Sequence, residues 1–220
     1  LPFLAEKIIV ERDLSLLEEY FCRYHISQIS SAKTVSVIKK AKNEGKIFTT
    51  GVSINNLSLN ENDIGDFKTF LKLSPPLRTE NDRQALVEAV NDGIIDVIVS
   101  DHKPEDEESK RLTFSQAATG ATGVETMLPL ALELFHNKSI NLKKLVASLT
   151  FNPAKILKID KGSLEKGKNA DLCVFDINKA WKVDKNKLKS KSKNTPIESR
   201  RLQGQVIKTF IKGELAFERN

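Results

Sequence analysis

The sequence predicts an α/β fold built on a parallel sheet, and three observations predict it. Helical and strand-like apolar patterns alternate along the chain. The run Ile94-Ile95-Asp96-Val97-Ile98-Val99 is nearly all apolar, as a strand covered on both faces should be. Each predicted strand also ends in a polar cluster: Gln28 and Ser30, then Ser53 with Asn55 and Asn56, then Ser74, then Asp101 and His102. In parallel α/β folds the carboxyl ends of the strands face the ligand site.

The elements follow in order. Ile8, Ile9, Leu14, Leu16, Leu17 and Phe21 give Ala5 to Phe21 a helical face. Arg23 to Ser30 reads as a strand through Tyr24, Ile26 and Ile29. Ser31 is placed to cap a helix from Ala32 to Asn43 that stops at Gly45. Lys46 to Ser53 is rich in β-branched residues and reads as a second strand, and Asp66 to Leu73 as a third, ended by Pro75-Pro76. A helix from Glu80 to Asn91 ends at Gly93 and leads into the apolar strand. Further on come a glycine-containing loop opening a helix that ends by His136, a helix from Leu142 to Leu149, and a short helical turn with Pro153 at its first position. Three short strands close the pattern: Asp171 to Asp176, Val206 to Lys212 and Glu214 to Phe217. Four strands with their helices make half of an eight-stranded barrel, whose usual size is about 250 residues. The expectation is therefore the second half of a barrel over residues 1–157 and a small β extension over residues 158–220. The chain opens as if cut from something longer, and half a barrel would expose strand edges and be unstable alone.

Composition excludes several classes. Hydrophobic residues make up 40%, enough for a real core. No run of about 18 apolar residues suggests a membrane helix, and the first residues carry no basic-then-apolar leader. The two cysteines, Cys22 and Cys173, lie far apart in apolar runs and read as buried thiols in a reducing cytoplasm. The net charge of +6 is spread along the chain. Its one dense stretch, Lys182 to Lys193, has six lysines but a single neighbouring aromatic, Trp181, so it reads as a solvated loop and not a nucleic-acid site.

Several short motifs are spread across essentially the whole chain. Ser100-Asp101-His102-Lys103-Pro104-Glu105 resembles the signature T-D-H-A-P-H, and Gly120-Ala121-Thr122-Gly123-Val124-Glu125-Thr126 resembles G-x-x-G-L-E-T. Ser74-Pro75-Pro76-Leu77-Arg78 is similar to N-P-P-L-R, and Ser190 to Pro196 to S-x-x-x-N-T-P-F. Asn152-Pro153-Ala154-Lys155 and Gly167-x-x-Ala170-Asp171-Leu172 are similar to tail motifs of many amidohydrolases. Together these motifs resemble those of class I dihydroorotases of the amidohydrolase superfamily. The resemblance implies a TIM-type (β/α)8 barrel, of which this would be strands five to eight. It implies interconversion of dihydroorotate and N-carbamoyl-aspartate in pyrimidine synthesis, with zinc polarising water and carbonyl and an aspartate as acid and base.

The same resemblance assigns Asp101 as catalytic residue and metal ligand, and Ser74, Glu105 and Gly120 as substrate-binding positions. It also exposes losses. Gln28 stands where the fifth-strand metal histidine is expected, and Asn55 and Asn56 stand in place of the sixth-strand histidine pair. Ser74 replaces an asparagine and Glu105 a histidine. Neutral amides are poor zinc ligands, so a dinuclear site should not form. Each residue also has a structural reading. Asp101 could cap a helix or pair with Arg78 or Lys103, His25, His102 and His136 could be satisfied structural residues, and Asn55 and Asn56 could simply turn a loop. Glu125 is expected to pair with a backbone amide or a basic side chain.

Three functions remain open. One is a dihydroorotase. Another is a non-catalytic homologue supporting aspartate transcarbamoylase assembly, as degenerate members of the resembled family do. The third is another cyclic amidohydrolase using a single metal held by Asp101 and ligands from the missing half, which would be the partner of this one.

Overall fold

The computed structural model describes residues 2–219. Three short parallel strands, β1 (His25–Ile26), β2 (Thr49–Ser53) and β3 (Val97–Val99), lie in that order. His25 pairs with Thr49, and Gly51 with Val97. Helices α1 (Phe3–Glu19), α2 (Ala32–Asn43), α3 (Ile54–Ser58) and α4 (Glu80–Asn91) precede or link them. After β3 come α5 (Glu107–Arg111), α6 (Met127–His136), α7 (Leu142–Leu149) and α8 (Phe151–Leu157). A separate antiparallel sheet follows, of β4 (Leu172–Lys182), β5 (Arg201–Ile211) and β6 (Glu214–Glu218). The architecture is mixed α/β, with no closed barrel among the described residues.

Helix starts are set by side-chain caps. Ser31 accepts the amide of Thr34, Thr79 that of Asp82, and Asn141 that of Lys143, each satisfying a donor the helix itself leaves open. One continuous core runs from Val10 and Leu14 of α1 through Ile29, Val52 and Ile98 to Leu130 and Leu132 of α6. It reaches Val183, Ile197 and Leu202, so the antiparallel sheet and the parallel strands share buried residues. Fully burying a side chain such as Ile29 or Leu130 contributes about 2 kcal/mol.

Several sequence expectations are corrected. Asp66 to Leu73 is not a strand: Thr69–Leu71 forms a 3-10 turn, and Phe67 has a positive φ of 56°. Its apolar residues Leu71 and Leu73 bury into the core instead of pairing along a ladder. β3 therefore pairs directly with β2, and the next strand position beyond β3 is reduced to one bridge, His102 to Ala121. The first strand shrinks to two residues. Pro153 is the third residue of α8, not the first, still inside the turn whose amides need no helical partner. Both cysteines are exposed, since the runs that carry them lie at the surface.

Candidate functional site

The carboxyl ends of β1, β2 and β3 deliver Gln28, Asn55 and Asp101 to one end of the sheet. Asp101 has a left-handed backbone, φ 48°, which turns the chain sharply as it leaves β3. Its side chain is only 3% exposed. Gln28 Nε2 donates to Asp101 Oδ1 at 3.0 Å. Lys103 Nζ lies 3.3 Å from the same oxygen and donates to the Ser74 carbonyl at 3.1 Å. Asp101, Gln28 and Ser74 are thus brought together, with Ser74 contributing its backbone oxygen. Arg78 is turned elsewhere, toward Ser30 Oγ at 2.9 Å and Glu6. Glu6 in turn accepts the amides of Ser30 and Ser31 and fixes the chain after β1.

Glu105 and Gly120 form a second group beside the first. Asn194 ties them, donating to the Gly120 carbonyl at 3.1 Å and accepting the Glu105 amide at 3.4 Å. Ser192 Oγ also donates to the Glu105 carbonyl. A cavity of about 770 Å³ opens here, lined by Phe70, His102, Glu105, Lys191 and Asn194 among others. Two glycines are demanded by close approach. A Cβ at Gly120 would sit 2.7 Å from the Lys103 carbonyl, and one at Gly123 would sit 2.2 Å from the Ser100 carbonyl. The segment from 190 to 194 was not assigned to the site from sequence; Lys103 was expected there as an ion-pair partner of Asp101, and it takes that place. Only the fold shows that the distant 190–194 segment straps over the loop after β3.

Each histidine has a hydrogen-bond partner. His102 Nδ1 accepts the Gly123 amide at 3.1 Å. His136 Nε2 contacts the Ile177 carbonyl at 2.9 Å. His25 sits at the opposite, amino end of the strands, 2.8 Å from Thr49 Oγ1. Burial holds its pKa below the usual value, outweighing the nearby charge of Asp96. It lines a larger cavity of about 800 Å³ remote from Asp101. Glu125 accepts the amides of Lys189 and Ser190, so it pins the lysine-rich stretch. Trp181 packs partly against the core and donates to the Gly204 carbonyl at 3.0 Å.

Zinc does not fit these donors. The described residues contain no group of three or more His, Cys, Asp or Glu able to hold a metal. Gln28 turns an N–H, not a lone pair, toward Asp101. Asn55 is 1% exposed, with its Nδ2 unpartnered, and Asn56 Nδ2 is engaged by the Pro76 carbonyl at 3.0 Å. An amide and an ammonium therefore surround the carboxylate where a metal site needs lone pairs.

The profile of the amidohydrolase family matches residues 6–216. The chain belongs to the amidohydrolase family. Among curated relatives it is 43% identical over 218 residues to a dihydroorotase of Ehrlichia canis strain Jake, covering 99% of this chain and 49% of that protein. It is 39% identical to a dihydroorotase of Syntrophus aciditrophicus, over 99% of this chain and 51% of the other. Its fold superposes on an L-hydantoinase (dihydropyrimidinase) from Arthrobacter aurescens with a TM-score of 0.93 at 30% identity, covering 99% of this chain and 49% of that one. A dihydropyrimidinase from Brevibacillus agri shares the fold at a TM-score of 0.90 and 23% identity, covering 99% of this chain and 49% of that one. This amidohydrolase chain spans about half the length of the curated relatives it matches.

Proposed function

We propose that this chain forms half of a dihydroorotase-like amidohydrolase barrel and acts as a scaffold, not as a zinc hydrolase. The single observation that carries this reading is the 3.0 Å hydrogen bond from Gln28 to Asp101, which spends the catalytic carboxylate on an internal amide. The dihydroorotase names of the relatives support the lineage. The donor set supports that reading, because Gln28 and Asn55 are neutral amides and therefore poor zinc ligands beside Asp101.

In this reading Ser74, Glu105 and Gly120 keep the outline of a substrate cleft, and Asn194 holds its wall. The chain meets the other half of its barrel along its open strand edges and, as a structural partner, supports aspartate transcarbamoylase, the role the resemblance implies. A cytoplasmic site of action fits that partner. No described helix is long and apolar enough to cross a membrane. A second reading, hydrolysis of dihydroorotate to N-carbamoyl-aspartate within pyrimidine synthesis, is favoured by the 43% identity to a protein named dihydroorotase. It requires ligands other than these amides.

Elemental analysis of the protein at its natural length, run beside a dihydroorotate hydrolysis assay, separates the two. The scaffold reading expects neither zinc nor turnover. Near-stoichiometric zinc, with turnover abolished by Asp101→Ala, would establish the enzyme.

A further inference from the structure

We infer that Lys103 is a built-in cation of the strand-end site, its ammonium standing against Asp101 in place of a metal charge; this rests on the metal-free reading above. A carboxylate with a side chain only 3% exposed is costly unless a donor or a cation compensates it. Gln28 supplies one neutral hydrogen bond. The ion pair that balances the charge is Lys103, with Nζ 3.3 Å from Asp101 Oδ1.

The lysine is directed there by its neighbours. Its amide donates to the Ala121 carbonyl at 2.8 Å, in the one bridged position beyond β3. Gly120 lies so close that a Cβ on it would come within 2.8 Å of Lys103 Cβ. At the far end of the side chain, Nζ donates to the Ser74 carbonyl at 3.1 Å. The ammonium thus bridges the chain after β3 and the segment before Pro75, joining the carboxylate expected to hold metal to the position expected to hold substrate. A divalent cation entering beside Asp101 would meet this positive charge at short range. The site has exchanged an external cation for one carried by its own chain.

A double-mutant cycle on the protein at its natural length tests this by thermal melting. Lys103 is 48% exposed at its side chain, so its truncation leaves the core intact. Lys103→Ala is expected to lower Tm by about 2–6 °C, because it strips a buried carboxylate of its counter-charge. Lys103→Arg should recover most of that loss. Asp101→Asn alone should shift Tm by no more than about 2 °C. Added to Lys103→Ala, it should restore at least half the lost Tm, since there is then no charge to compensate. Wild-type melting in Lys103→Ala, or losses that simply sum in the double variant, would overturn the assignment. The two ideas fail separately: zinc with turnover strikes the functional reading, whereas additive losses strike the role of Lys103.

Discussion

The two ends of the same three parallel strands carry polar side chains of similar kind but use them differently. At the amino ends Asp96 pairs with Lys42 at 2.9 Å and accepts the Thr50 amide at 2.8 Å, while Asn152 Nδ2 caps the Asp96 carbonyl at 2.7 Å. These bonds tie α2, β2 and α8 to the start of β3. At the carboxyl ends the bonds run between side chains of adjacent loops: Gln28, Asp101, Lys103 and the Ser74 carbonyl. Buried capacity is also left over there, at Asn55 Nδ2, Asn56 Oδ1 and Thr122 Oγ1, whereas Thr50 Oγ1 is the counterpart nearer the other end among the described residues. Buried polar groups normally find a partner, so this spare capacity is room for further hydrogen bonds at the carboxyl ends. One end is a fastening; the other gathers Gln28, Asp101, Lys103 and the Ser74 carbonyl beside polar groups that the described residues leave open.

The comparison can be broken at several points, taken from the largest effect downward. Gly123→Ala would drive a Cβ to 2.2 Å from the Ser100 carbonyl, next to Asp101. Both are backbone-constrained, so a loss of about 3 kcal/mol is expected in chemical denaturation. Asp96→Ala removes a cation pair and an amide acceptor at the fastening end, and should cost about 2 kcal/mol by the same measurement. Asp101→Asn at the site end should cost less than about 1 kcal/mol, because an amide still accepts from Gln28. A cost at Asp101 equal to that at Asp96 would erase the distinction between the ends.

The smallest effect is a pH dependence. Burial holds the folded His25 pKa below the ordinary histidine value of about 6.5, so the neutral ring is the form the fold prefers. Its contribution is therefore complete above pH 6.5 and declines as pH falls through that value toward the folded pKa. Melting temperatures between pH 7.5 and pH 5 should fall less steeply in a His25→Asn variant than in the wild type. Parallel curves would remove His25 from the fastening end's energetics.

Much of the scaffold was legible in the sequence where local chemistry decides it. The helices Ala32–Asn43, Glu80–Asn91 and Leu142–Leu149 match their expected limits, because Ser31, Thr79 and Asn141 are caps that can be read from order alone. The segment from Asp66 to Leu73 was misread because apolar residues at Leu71 and Leu73 look alike whether they pair in a ladder or plug a core. The cysteines were misplaced for a related reason: apolar neighbours do not guarantee burial at a surface-lying run. At the site, motif order located Asp101, Gln28 and Ser74, which do meet. The sequence offers Lys103 as a partner of Asp101, and the two lie 3.3 Å apart, whereas Asn194 needed the fold, since it reaches Gly120 across 74 positions.

The most direct measurement of the central claim is a calorimetric zinc titration of the protein at its natural length. The account predicts no saturable tight site, because Asp101 is already engaged by Gln28 and Lys103. Tight one-to-one zinc binding that disappears in Asp101→Ala would contradict it.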